Sequence, residues 1–117
     1  MSTSVRFVKR GVHGVLRENW QLPGVIKSSK AVVHISAGEV GFGTTNAPPV
    51  TKPEQDFHYH LGATSVWVSN VSPHKNDFNP QDPGGVEFLL HVDSDTPIDV
   101  AVTITVEDNI PVDIQGY

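Results

Sequence analysis

The stretch Ile98–Glu107, IDVAVTITVE, sets Ile98, Val100, Val102, Ile104 and Val106 at alternate positions, with Asp99, Ala101, Thr103, Thr105 and Glu107 between them. A side-chain period of two belongs to an extended strand with one buried face; a helix would scatter these residues around its axis. A chain holding such a strand must supply partners for its backbone and a second layer for its apolar face. The same alternation recurs. In SVRFVKR, Val5 and Phe7 share a face opposite Arg6 and Arg10. KAVVHISAG groups Ala31, Val33 and Ile35 against Val32, His34 and Ser36. TSVWVSNV turns Val66 and Val68 inward, and VEFLLHVD does the same with Val86, Phe88, Leu90 and Val92.

Glycine, proline, asparagine and aspartate punctuate these runs: LPG at 22–24, SAGEVGFG at 36–43, NAPP at 46–49, NPQDPGG at 79–85 and DSDTP at 93–97. Such residues set turns for their own conformational reasons. DSDTP, tight and flanked by two strong strands, predicts a hairpin. VLRENW, at 15–20, is the one segment with the makings of a helical turn or two. The fold class expected is all-β: an antiparallel, jelly-roll-like β-sandwich of six to eight short strands, forming one domain over residues 1–117. Two longer loops, 41–55 and 72–85, carry either function or edge-covering.

Composition narrows the function classes. The longest apolar runs are three or four residues, too short for a membrane span. MSTSVRFVKRG holds no secretory apolar core, so the expectation is a cytoplasmic protein, or one released without a cleaved signal peptide. The absence of cysteine removes disulfides, thiolate chemistry and Cys-based zinc sites. The net charge of −5 conceals a segregation. Six of the eight Lys/Arg lie within residues 1–30 (Arg6, Lys9, Arg10, Arg17, Lys27, Lys30), whereas nine acids and no Lys or Arg follow Asn76. Because the basic residues interleave with apolar ones, they read as the solvent face of folded strands. Nucleic acid is not the expected partner of so acidic a chain. Basic N-terminal strands near acidic C-terminal strands, within a subunit or between subunits, is the expected arrangement.

His58 and His60, two apart in DFHYH, present their rings to one side of an extended chain. Small β folds complete metal sites of this geometry with a ligand from a neighbouring strand. His91, on the outward face of its strand, is the candidate third ligand; His34 is also outward. HxH also occurs in the first cupin motif, but Lys52 stands where that family has glycine, and Thr64 and Ser65 where it has glutamate. Loop oxygens of Asn76, Asp77, Asn79 and Asp82, and of Asp93 and Asp95, have the chemistry that calcium requires. The possible cofactor is therefore a divalent metal, zinc or calcium. No Gly-x-Ser-x-Gly or comparable context positions a nucleophile.

Trp67 breaks the polar face formed by Ser65 and Ser69. A large aromatic there packs under a loop, lies in a subunit interface, or offers a stacking platform. The expected function is a non-catalytic, lectin-like module that binds carbohydrate through Trp67, Asn76, Asp77, Asn79 and Asp82 and forms a homo-oligomer. The alternatives are an assembly protein without a small ligand, and a small metal-dependent enzyme using His58, His60 and His91.

Overall fold

The computed structural model describes residues 2–42, 57–108 and 110–116. It is all-β, with seven strands in two antiparallel sheets and no helix among the described residues. The strands are β1 (Ser2–Val12), β2 (Gly14–Gln21), β3 (Val32–Phe42), β4 (Phe57–Tyr59), β5 (Ser65–His74), β6 (Gly85–Asp93) and β7 (Ile98–Glu107). One sheet has the order β1-β7-β3-β4 and the other β2-β6-β5. No helix among the described residues is long and apolar enough to cross a membrane. Most of the loop expected at 41–55 lies outside the described residues.

The alternation places the core as expected. Val100, Val102, Ile104 and Val106 of β7 are buried, as are Val86, Phe88, Leu90 and Val92 of β6. Both central strands belong to a single apolar cluster, one lining each side of it. Phe7 of β1 and Trp20 of β2 stack across the gap, ring centroids 3.9 Å apart. Burial of this kind stabilises by roughly 1.5–3 kcal/mol per large apolar side chain.

Three expectations are corrected. SAGEVGFG does not turn between strands: β3 runs through it to Phe42, paired first with β7 and then with β4. VLRENW is not helical: it is the body of β2, paired along its length with β6, Val15 opposite His91 through Trp20 opposite Val86. Leu16 and Trp20 are packed against the core, and two-residue spacing on a paired strand overrides the local helix propensity. DSDTP does not join a hairpin either. It carries the chain from β6 in one sheet to β7 in the other. Each of these strands presents a complete apolar face, and the two faces meet only when the strands lie in opposed layers. Ser94 shapes the turn: its amide donates to the Val92 carbonyl at 2.9 Å, and its hydroxyl donates to the Thr96 carbonyl at 2.7 Å.

A second passage between layers needs no loop at all. β1 runs almost directly into β2, with Gly11 at φ 66° and Gly14 at φ 84°, the left-handed region that glycine enters without steric cost. The ladder with β7 shifts register between Lys9 and Val12, and the Gly11 amide donates to Asp99 at 2.8 Å. Between β2 and β3, the buried Asp108 carboxylate accepts from the amides of Lys27 at 2.6 Å and Ser28 at 3.1 Å.

Candidate functional site

The outward side of β2-β6-β5 is the face on which Trp67 stands. Residues directly opposite one another on paired strands share a face, so the registers define cross-strand rows. Val15, His91 and Trp67 form one row; Arg17, Leu89 and Ser69 form the next; Asn19, Glu87 and Ser72 form the third. With strands about 4.8 Å apart, each row spans roughly 10 Å.

The first row is ordered from within. The Trp67 and His91 rings are stacked, centroids 4.6 Å apart and planes inclined by 3°. Ser69 Oγ lies 2.7 Å from His91 Nε2, which fixes the imidazole from the adjoining row. Trp67 remains 45% exposed and Val15 64% exposed. A shallow depression of about 130 Å³ beside them is lined by Gly14, Val15, Trp67, His91, Val92 and Asp93.

Apart from Leu89, the second and third rows are polar. Arg17 Nε donates to Glu87 Oε1, and His74 Nε2 lies 3.1 Å from Asn19 Oδ1. A bulge between Ser69 and Ser72 sets Asn70 at φ 56°, the one non-glycine residue with positive φ among those described. Bulges re-aim side chains and recur beside binding sites. Here Asn70 and Ser72 line a depression of about 330 Å³ together with Arg17, Glu87, Phe88 and Leu89.

The sequence-derived ligand set does not come together. Trp67 sits near the start of β5, whereas Asn76, Asp77, Asn79 and Asp82 follow its far end at His74, about 20 Å further along the strand. Their oxygens serve the turns. Asn76 Oδ1 accepts from the Phe78 amide at 3.0 Å, and Asn79 Oδ1 from the Gln81 amide at 3.0 Å. Asp82 accepts from the amides of Asn76 at 2.5 Å and Gly84 at 3.1 Å, and these bonds hold its carboxyl below the usual aspartate range. Asp77 accepts from the Ser29 hydroxyl, and from the Ser29 amide at 2.8 Å; the hydroxyl bond first, then the amide bond, lowers its pKa likewise. Oxygens bound in this way fit loop construction better than calcium ligation. Asp82 also borders a depression of about 440 Å³ with Ile26, Lys27 and Lys75.

The histidines are separated as well. His58 lies opposite Gly41 with its ring over that glycine, and His60 Nε2 is 3.6 Å from Glu39 Oε2 on the same side of the sheet. Tyr59 faces the other way, over Gly38. His91 belongs to the other sheet, and His34 stands on the opposite side of β3 from Glu39 and Gly41, 3.6 Å from Glu107. No group of three or more potential ligands that could hold a metal ion occurs among the described residues. The Ser69–His91 pair has the contact of a nucleophile and its base, but no described carboxylate pairs with His91 to complete a triad.

Sequence reasoning isolated Trp67 and His91 but missed their stacking, because the pairing of β5 with β6 is a register fact. It also missed the Asn70 depression. The signal was present: an asparagine within an otherwise regular strand, SNVS, marks a bulge. No protein-family model, curated protein or solved structure matches this chain.

Proposed function

We propose that the protein is a non-catalytic carbohydrate-binding module on a jelly-roll-type β-sandwich, with Trp67 as its stacking platform. The supporting observation is the half-exposed Trp67 indole held parallel to His91, which Ser69 holds in turn. An aromatic ring fixed before binding loses little rotamer freedom when a ligand arrives. The C–H face of a pyranose packs on such a ring, and its equatorial hydroxyls call for planar donors and acceptors at the margin. Asn70, Ser72 and the Arg17–Glu87 pair supply these in the adjoining depression. The jelly-roll reading draws support from connectivity: β1 and β2 pair antiparallel with β7 and β6, in opposite sheets.

Trp67→Ala should abolish or greatly weaken capture on a glycan array while leaving the circular dichroism spectrum unchanged. Loss of a stacking contact of about 1–3 kcal/mol corresponds to roughly 5- to 150-fold in affinity. If the wild-type protein captures no glycan at any density, carbohydrate binding is discarded. Self-association is the second reading, favoured by Val15 lying exposed in the same row. In that case the wild type is an oligomer that takes up no glycan, and Trp67→Ala dissociates it.

A further inference from the structure

Beyond that face, two features lack a partner of the kind their pattern calls for. β1 is the outermost strand of its sheet among the described residues, so one row of its backbone N–H and C=O groups points away from β7. Its inward residues Val5 and Phe7 are only partly buried. After β7, residues 110–116 carry no regular secondary structure and join neither sheet. Here Ile110, Val112 and Ile114 alternate with Pro111, Asp113 and Gln115, a strand's period with one apolar side. Val112 is 38% exposed and Ile114 59%.

We propose that residues 110–116 of one copy add as an antiparallel strand to the β1 edge of a second copy. Side-chain parity and charge together select the register. With Ile114 opposite Val5 and Val112 opposite Phe7, the apolar residues extend the core past its present margin. Asp113 then falls opposite Arg6, on the outward side where Arg6 Nε bonds Thr103 Oγ1 at 2.7 Å. A slip of one residue would turn Val112 and Ile114 to solvent. Charge also selects the occupant. Lys9 and Arg10 of β1 already face Glu18 and Asp99, but Arg6 stands on the outward side of a strand with no acid, and the added segment carries Asp113 and no base.

The chain cannot make this pairing with itself. Glu107, the last residue of β7, lies opposite Ser2, so the chain leaves the sheet beside the start of β1. From there its own residues 110–116 could follow β1 only in the parallel sense, so the antiparallel register described above needs a second copy.

Sedimentation of the full chain from low micromolar to millimolar concentration tests the proposal. The wild type should associate, and Val112→Asp with Ile114→Asp should weaken association at least about tenfold, close to 1.4 kcal/mol. Both side chains are exposed, and unchanged circular dichroism would confirm that the variant folds. Asp113→Arg should weaken association similarly, and adding Arg6→Asp should restore it. Amide exchange in β1 should slow as the wild type associates. A chain monomeric throughout this range overturns the proposal, as does association indifferent to the Val112/Ile114 double substitution.

Discussion

Lys9 and Glu18 show what the core tolerates at the level of single side chains. Both project inward, Lys9 opposite Val100 and Glu18 opposite Phe88, and Lys9 Nζ lies 2.5 Å from Glu18 Oε1. The approach is ionic rather than well directed, since Oε1 has no aligned hydrogen-bond donor. The two partners differ in their access to water: the Lys9 side chain is 28% exposed and that of Glu18 10%. A lysine deprived of its partner can extend its ammonium to solvent along its aliphatic stem, whereas the carboxylate has nowhere to go. Lys9→Met should therefore cost about 3 kcal/mol, in the range of a buried charge left alone, and Glu18→Leu markedly less. Urea unfolding of the two variants measures this, and equal losses would contradict the asymmetry. Trp20 Nε1 is likewise buried without a partner, and the ring's stack on Phe7 keeps it in place.

Among the elements, β5 carries the most information per residue because its bulge separates the stacked row from the polar depression. Asn70 occupies the left-handed region that asparagine enters readily and β-branched residues do not. Asn70→Gly should keep the bulge and leave stability within about 0.5 kcal/mol. Asn70→Val should cost about 1–3 kcal/mol through backbone strain, read from thermal unfolding; a Val variant as stable as the wild type would show that the bulge is not held in this conformation. Strands β1, β3, β5, β6 and β7 were legible in the sequence because each buries one face, and alternation records burial directly. Their assignment to sheets was not. Val92 and Ile98, separated by the five residues of DSDTP, read alike whether their strands lie side by side or in opposed layers, and only the meeting of two apolar faces decides. β2 was hidden for a related reason: Glu18, a charge at an inward position, interrupts the alternation that would have betrayed it. For the site, Trp67 was legible as an apolar residue out of phase, but its contact with His91 depends on a pairing between positions far apart in sequence.

Taken as a whole, the molecule joins its beginning to its end. β1 pairs with β7 from Ser2 opposite Glu107, and β2 pairs with β6. This pairing explains the charge segregation, since it sets Arg10 4.0 Å from Asp99 and bonds Arg17 to Glu87 within one chain. Exposed pairs of this kind contribute little each, about 0–1 kcal/mol, so their role is to balance charge rather than to hold the fold. Ladders closed across nearly the full chain length make folding slow, because loop-closure entropy is lost before the contacts form. Refolding from urea should proceed on a timescale of about milliseconds to seconds, and stopped-flow tryptophan fluorescence can follow it; a relaxation complete in microseconds would contradict the dominance of these long-range ladders. The same closure has a consequence during synthesis. A ribosome delivers Phe7, Leu16 and Trp20 some seventy residues or more before the strands that pair with theirs, β7 and β6, are complete. Until β6 and then β7 have cleared the exit tunnel, the apolar faces of β2 and β1 wait unpaired, within reach of chaperones and of neighbouring nascent chains.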